Sequence, residues 1–538
     1  MNKVIFPKKI VKAKGNGDFK KLLSKKEVQI GLNEQSLTAM ENGDYVILDF
    51  GKEYAGGLRI LTFSVGGEGK AKIRLGESVS EVLHGVGECG ATNDHATRDL
   101  TVKLENYSDM TFCNSGFRFA RVEIPEGSSA QIKSILLKSD VFEKPFTGSF
   151  RCDDKLVNDI FRTAAYTVRL CLQNGMIWDG IKRDRLVWIG DIYPEMRSVT
   201  SLFGRLDNID RSLNFVRDET PLPGWMNHIS TYSFWWIVIL KDYFLYNGDM
   251  KYLGEQREYL KALLDQIDSC VAEDGTLLFT GYLIDWPTHY VDPADGEDRR
   301  LDEIAGVHAL ALMAANAAEY LFGVLGEDGT KAANLKAKLL KKTYSVRKYK
   351  QISALRVYAG IGTKDDERLL LEGGAHGMST FMSYFILQGL AENGKHAEAL
   401  SVMKEFYGGM LSLGATTFWE DFDIDWLKNA GRIDKMPKKG QVDVHAAYGA
   451  FCYKGLRHSF CHGWSSGVVA YLVQSVAGIE VLDAGCKKIA IRPHLDGLTS
   501  VDAVFPTPYG KLKVSHRKNE KGQIETTIDA PQGIEIVR

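Results

Sequence analysis

The feature that most constrains this chain is a long helical middle held between two strand-rich ends. From Asp153 to about Gly478, apolar residues recur at helical spacing in segments 156–172, 233–246, 252–271, 301–325, 332–344, 378–390, 396–411 and 464–476. Weaker segments near 192–202 and 209–216 bring the expected number to ten or more. So many helices bury their apolar stripes against one another, and chemistry-bearing residues fall in the connections between them. The expected arrangement is a toroid of paired helices with its site at one end. The first 150 residues carry short β-branched and aromatic runs at 44–50, 57–65, 70–75 and 117–124, separated by Gly, Asn, Asp or Ser, and read as a β-sandwich. Runs at 488–492, 510–516, 523–528 and 533–537 predict a small β-domain that closes the chain. The fold class is therefore multidomain α+β: 1–150 an N-terminal β-sandwich, 151–480 the helical barrel, 481–538 a C-terminal β-domain.

Charge excludes some partners. Across 538 residues, 67 basic side chains nearly cancel 69 acidic ones, which leaves no basic field for nucleic acid or anionic lipid. Neither a nucleic acid nor a membrane is expected as a partner, and no metal or other cofactor site can be read. The eight cysteines form no C-x-x-C and no Cys/His cluster, so they read as free thiols. The first fourteen residues carry lysines without the apolar stretch of a signal peptide. Cytoplasmic location is the expectation, or periplasmic if a leader was trimmed. Aromatic residues make up 10% of the chain, and their flat rings suit both a large core and stacking on carbohydrate.

Two constellations carry chemistry. Asp179-Gly-Ile-Lys-Arg-Asp-Arg-Leu-Val-Trp-Ile-Gly-Asp191 gathers three carboxylates, three cations and a tryptophan in 13 residues. A solvated loop tied by ion pairs is the plain alternative. Ile181, Leu186, Val187, Trp188 and Ile189 are interleaved with the charges, however, so the loop is expected to pack into something and to pair its charges there. The second is Gly414-Ala-Thr-Thr-Phe-Trp-Glu-Asp-Phe-Asp423, where Glu420 lies among aromatic residues that can displace its proton affinity. The Asp421, Asp423, Asp425 alternation is no calcium loop, because Trp426 stands where the EF-hand needs Gly. Two carboxylates from separate loops, with an arginine and aromatic side chains, fit glycoside hydrolysis. The G-x-S-x-G, Walker, G-x-G-x-x-G and H-E-x-x-H patterns are all missing.

These residues resemble a family. The 179–191 segment is similar to the D-G-x-K-R-[DE]-R-x-x-W-x-G-D motif of the α-L-rhamnosidases of glycoside hydrolase family 78, and Ala415-Thr-Thr-Phe-Trp-Glu420 resembles the family's T-x-W-E segment. Leu75-Gly-Glu-Ser-Val-Ser80, Ala91-Thr-Asn-Asp-His95, Ser459-Phe-Cys-His-Gly-Trp464 and Pro506-Thr-Pro-Tyr-Gly510 agree as well. The resemblance implies an (α/α)6 barrel flanked by β-domains and inverting hydrolysis of terminal α-L-rhamnosyl residues. It places the general acid at Asp184 and the water-activating base at Glu420. It puts Asp179, Arg183 and Asp191 on the sugar hydroxyls, Trp188 beside the sugar's methyl group, and His462 and Trp286 on further walls of the pocket. His308 reads as structural.

One departure stands out. The acid position is most often Glu in the family, and Asp184 is shorter by one methylene. Either its backbone sits closer to the glycosidic oxygen, or the substrate differs, or activity is weak. Arg183 would draw the proton off an adjacent acid, so it is expected to point at Asp179 or at the sugar, while Asp184 stays protonated and Glu420 ionised. The expected substrate is a rhamnose-containing glycoside or oligosaccharide. The alternatives are an exo-glycosidase for another deoxy sugar or a uronic acid, and a non-catalytic carbohydrate-binding homologue.

Overall fold

The structure is a computed structural model that describes residues 3–25, 28–32 and 36–538. Met1 and Asn2, where the search for a leader began, lie outside the described residues. The chain forms the multidomain α+β architecture expected from its patterning.

The N-terminal unit is an antiparallel assembly organised by one long strand, Asp44–Gly67. Ser108–Ile124 pairs along one edge of both halves (Val46 opposite Val122, Leu58 opposite Phe112), while on the other edge Lys9–Lys14 pairs with the first half and Ser128–Ser139 with the second (Leu58 opposite Leu137). The register against Ser108–Ile124 shifts between Asp49 and Tyr54, and the pairing resumes beyond the irregularity. Alternating side chains, among them Val46, Leu48, Phe50, Leu58, Ile60, Phe117 and Leu137, fill a separate core.

Among the described residues, twelve helical segments then alternate between two kinds. Ile189–Phe203, Ser230–Asn247, Glu297–Leu325, Lys350–Tyr358, Ser383–Glu392 and the final 463–476 segment are buried on almost every side and form the inner ring. Lys155–Cys171, Asp207–Asp218, Met250–Ser269, Thr330–Leu339, Lys364–Leu371 and His396–Ser412 bury one stripe each and form the outer ring. Local signals fix their ends: Asp154 and Asp249 accept backbone N–H groups as N-caps, Thr363 and Asp366 form a capping box, and Gly248 and Gly326 close two inner helices in the left-handed conformation. Glu297–Leu325 is apolar and long enough to cross a membrane by composition, yet 72% of its apolar window is buried in the barrel.

Three expectations from the periodicity shift on inspection. The 332–344 helix ends at Leu339, and 378–390 is helical from Ser383. The 464–476 segment is a 3-10 turn, a short α-helix and a π-turn in succession.

The connections sort by length, and that positions the site. Each inner helix hands over to the next outer one through a short turn, as at 204–206, 248–249 and 393–395. Each outer helix returns to the next inner one through a long loop: 172–188, 219–229, 270–296, 340–349, 372–382 and 413–462. All six long loops therefore meet at one mouth, where the N-termini of the inner helices point. Behind the opposite mouth, strand Ser149–Cys152 joins Ser500–Thr507, Gly510–Lys518 and Ile524–Asp529 in one antiparallel sheet, so chain from before the barrel is shared with the C-terminal unit. All eight cysteines are free thiols.

Candidate active site

The 179–191 loop folds into the mouth because its own residues fasten it. Asp179 N donates to Leu186 O at 3.0 Å, and Asp179 Oδ1 accepts Leu186 N at 2.8 Å, which closes the loop. Gly463 N donates to Asp179 O at 2.6 Å, and Gly180 bridges His462, so the loop lies against the 459–464 segment. At its tip Asp184 and Arg185 both take left-handed φ, 50° and 60°. Consecutive non-glycine residues in this region are strained, a feature that concentrates at functional sites. The loop ends at Trp188, the N-cap of the inner helix Ile189–Phe203, and Asp191 occupies that helix's first turn, where the helix dipole favours a carboxylate.

Two loops then meet over one guanidinium. Arg183, 5% exposed, donates from Nη2 to Glu420 Oε1, and its Nη1 lies 3.5 Å from Asp184 Oδ1. Arg183 thus stands between the two carboxylates and does not pair with Asp179, the first of the two directions expected of it. The reason is the left-handed turn at 184–185, which folds the loop tip back toward the 414–423 loop. Glu420, 2% exposed, is held from several sides: Oε2 accepts Ser459 N at 3.1 Å, its backbone N donates to Ser459 O at 2.9 Å, and its carbonyl accepts Trp464 Nε1 at 3.0 Å and the Thr380 hydroxyl. Asp184 differs in being partly open, with 17% of its side chain exposed. Its Oδ2 accepts the Trp188 indole N–H at 3.1 Å.

His462 Nε2 sits at the centre, 3.6 Å from Asp179 Oδ2, 3.9 Å from Asp191 Oδ2 and 4.0 Å from Glu420 Oε1. Burial, followed by the charges of Arg183 and His458, holds its imidazole well below the usual range, so it is neutral at pH 7. Burial pushes Asp179 well up, helped by the Asp184 and Asp191 charges, and pushes Asp191 up, helped by Asp184. For both carboxyls, burial favours the protonated form over the charged one. The structure thus brings Asp179, Arg183, Asp184, Trp188, Asp191, Glu420 and His462 together. Trp286 stacks on Phe451 with centroids 5.5 Å apart and meets Tyr453 edge-on. His308 donates to or accepts from no site residue; its Nε2 bonds Leu339 O at 3.0 Å, deep in the barrel wall.

Several groups at the mouth escaped the sequence reading. Glu195, one helical turn beyond Asp191, is buried with Oε1 unpartnered and is pushed well up by burial and by Cys171, Asp191 and Asp179. Its signal was available, since positions four apart share a helix face. Asp285, beside Trp286, is buried and pushed up to about 7 by that burial, and Asp421, beside Glu420, also rises to about 7. Tyr232 donates to Asp191 Oδ1 at 3.4 Å.

The N-terminal sheet supports the base from behind. Glu77 accepts Phe460 N at 2.6 Å and the Ser459 hydroxyl at 3.2 Å, fixing the segment that binds Glu420. Lys182 leaves the site and places Nζ 2.9 Å from Glu77 and 3.4 Å from Glu81. Glu77, Glu81 and His445 have donor atoms within 4.8 Å of one another, a spacing that could hold a metal, but the Lys182 ammonium already supplies the cation there.

Comparison with known proteins follows the same lines. Residues 145–345 match the bacterial α-L-rhamnosidase six-hairpin glycosidase domain, and residues 478–537 match the bacterial α-L-rhamnosidase C-terminal domain. No curated protein sequence matches. Among solved structures, a GH78 family rhamnosidase of Bacillus sp. GL1 superposes with a TM-score of 0.73 at 20% identity, covering 96% of this chain and 55% of that one. A rhamnosidase from Klebsiella oxytoca with rhamnose bound gives 0.67 at 18% identity, covering 88% of this chain and 95% of that one. Native α-L-rhamnosidase from Aspergillus terreus gives 0.68 at 19%, covering 94% and 61%. The chain spans about half the length of the Bacillus protein. At these identities the structures share the fold, and the two domain matches bear out the family likeness read from the motifs.

Proposed function

We propose, from the premise that this chain carries the six-hairpin and C-terminal domains of the α-L-rhamnosidases of glycoside hydrolase family 78, that it is an exo-acting glycoside hydrolase releasing terminal α-L-rhamnose with inversion. The observation that carries the reading is the pair of carboxylates from separate loops with one guanidinium between them. Glu420 is buried, paired with a cation and hydrogen-bonded by Ser459 N, which suits a base that stays ionised. Asp184 is partly open, with 17% of its side chain exposed, and Trp188 fixes its Oδ2, which suits an acid that meets the leaving oxygen. A whole guanidinium between them favours the wider separation of inverting enzymes, about 6.5–9.5 Å, over the about 5–5.5 Å of double displacement.

In this reading the sugar lies between the two carboxylates. Asp179, Asp191 and Arg183 bind its hydroxyls, and the burial that raises both carboxyls favours the form that can donate as well as accept. His462 is a neutral hydrogen-bonding wall, Trp188 lies against the methyl group and Trp286 bounds the rim. Asp184 protonates the glycosidic oxygen as the bond breaks, and Glu420 takes a proton from the water that attacks the anomeric carbon from the opposite face. The substrate is a rhamnose-containing glycoside or oligosaccharide.

The test is release of p-nitrophenol from its α-L-rhamnoside by the wild type, Asp184→Asn and Glu420→Gln side by side. Hydrolysis by the wild type, with both variants reduced by a factor of about 10² to 10⁴, supports the assignment. Turnover of another glycoside in its place moves the reading to a different sugar, and binding of rhamnose without turnover moves it to a carbohydrate-binding homologue.

A further inference from the structure

The mouth opposite the candidate active site holds a cavity of about 440 Å³, within the range that takes a small molecule. Inner helices form its walls: Arg197 comes from Ile189–Phe203, Lys241 and Asp242 from Ser230–Asn247, Gln388 from Ser383–Glu392 and Gln474 from the last inner segment. The C-terminal unit closes it with the 478–481 segment and Arg492. The cavity surface is mostly polar.

The acceptors of this wall are engaged. Asp242 Oδ2 accepts the Tyr193 hydroxyl at 2.5 Å, and Oδ1 accepts Lys241 Nζ at 2.9 Å. Gln474 Oε1 accepts the Tyr384 hydroxyl and Gln388 Nε2, each at 2.8 Å, and Gln388 Oε1 accepts the Ser475 hydroxyl at 2.5 Å. This chain of donors fixes the direction of both amides and leaves the Gln474 NH2 over.

The donors are not matched. Among the described residues no protein acceptor meets the Gln474 NH2 or the Arg197 guanidinium. Arg197 Nε is buried without a partner, and Nη1 lies 3.9 Å from Asp242 Oδ2, beyond hydrogen-bond reach. The side chain is 22% exposed, so its five N–H donors have little bulk water to turn to. Water held in the cavity can satisfy N–H groups but brings no charge. Two cations, Arg197 and Lys241, stand against the single carboxylate of Asp242 on this wall, which leaves one positive charge in excess. At the rim Arg492 pairs with Glu480 at 3.0 Å, and Glu392 is exposed to solvent.

We propose that this cavity is a second binding site, at the far end of the barrel, for a hydroxylated organic anion of monosaccharide size, whose carboxylate or phosphate oxygens bind Arg197 and the Gln474 NH2. A guanidinium fork matches either oxyanion with two parallel hydrogen bonds, and the ligand's charge cancels the excess on the wall. Its hydroxyls suit the polar lining. The site shares helix Ile189–Phe203 with Asp191 but opens at the other mouth, so its ligand does not compete for the candidate active site.

The experiment is titration calorimetry of the wild type, Arg197→Met, Arg197→Lys and Gln474→Glu with D-galacturonate, D-glucose 6-phosphate and neutral D-galactose, and melting temperatures confirm that each variant is folded. Saturable binding of one or both anions, and none of D-galactose, is expected from the wild type. Preference for galacturonate identifies a carboxylate ligand, and preference for glucose 6-phosphate a phosphate. Arg197→Met weakens binding by about tenfold or more, and Arg197→Lys, which keeps the charge and loses the fork, weakens it less. Gln474→Glu keeps the accepting oxygen and replaces the NH2 donor by a negative one, so it weakens binding even if Arg197→Met fails to fold. Saturating L-rhamnose leaves anion binding unchanged. Failure of both anions to bind, equal binding in Gln474→Glu and the wild type, or displacement of the anion by L-rhamnose overturns the proposal.

Discussion

Arg183→Met removes the cation that a buried carboxylate depends on, and the size of the effect follows from the surroundings of Glu420. At 2% exposure the carboxylate has little water to turn to. It keeps the hydrogen bond from Ser459 N at 3.1 Å, but His462, 4.0 Å away, is neutral and cannot replace the lost charge. Two unit charges about 4 Å apart interact by about 4 kcal/mol at an effective dielectric of about 20. Loss of one partner from a buried pair costs about 3–5 kcal/mol in the same range. Glu420→Gln leaves Arg183 a neutral amide oxygen that still accepts its hydrogen bond, with Asp184 Oδ1 3.5 Å away, and so costs less, about 2 kcal/mol. The double variant removes both charges at once, and a coupling of about 2–3 kcal/mol makes it more stable than the sum of the single losses predicts. Urea denaturation followed by tryptophan fluorescence on all four proteins measures this. An Arg183→Met protein within about 1 kcal/mol of the wild type, or strictly additive losses, would refute a pair that is both buried and energetically coupled.

Two further outcomes follow from the same geometry. Asp285 is raised to about 7 in the folded state against about 3.9 in an unfolded chain, so the folded protein binds the extra proton between those values. Its contribution is complete below about pH 4 and is lost as pH rises through about 7. Asp285→Asn therefore flattens the fall in stability over that window, and thermal melts at pH 4.5, 6 and 8 read the difference; identical slopes would contradict the raised value. Gly463→Ala places a methyl group 1.5 Å from Glu195 Oε1, where the carboxyl is walled in beside Asp179 and Asp191. A loss of about 1–3 kcal/mol and a displaced 459–464 segment are expected, seen as a lower melting temperature together with weaker activity. A variant of unchanged melting temperature would show that the helix can yield there.

How far these features were legible in the sequence depends on whether their cause is local. The longer outer helices announced themselves because one apolar stripe at a spacing of 3.6 is a local pattern, and caps such as Asp154 and Asp249 mark their starts. Lys350–Tyr358 and Lys364–Leu371 were not seen: both are short, and the first is rich in polar residues that its neighbours bury. The strand Ser149–Cys152 pairs with residues some 350 positions away, a relation no window can report. The site shows the same division. The charges of 179–191 and the aromatic setting of Glu420 are contiguous in sequence and were read directly. The contact of Arg183 with Glu420 was not legible, because the loop tip that carries it turns through left-handed backbone at Asp184 and Arg185, residues with no intrinsic preference for it. Glu77 and Asp285 support the site from distant segments, and only the fold brings them near.

The central claim is a two-carboxylate inversion, and the stereochemistry of the first-formed product tests it most directly. Proton NMR of methyl or p-nitrophenyl α-L-rhamnoside during hydrolysis, recorded before the free sugar equilibrates, identifies the anomer released. The account predicts β-L-rhamnose first from the wild type and no release from Asp184→Asn or Glu420→Gln on the same timescale. Release of α-L-rhamnose first would contradict it, because that outcome requires two displacements and a covalent intermediate on a carboxylate much closer to the acid than one separated from it by Arg183.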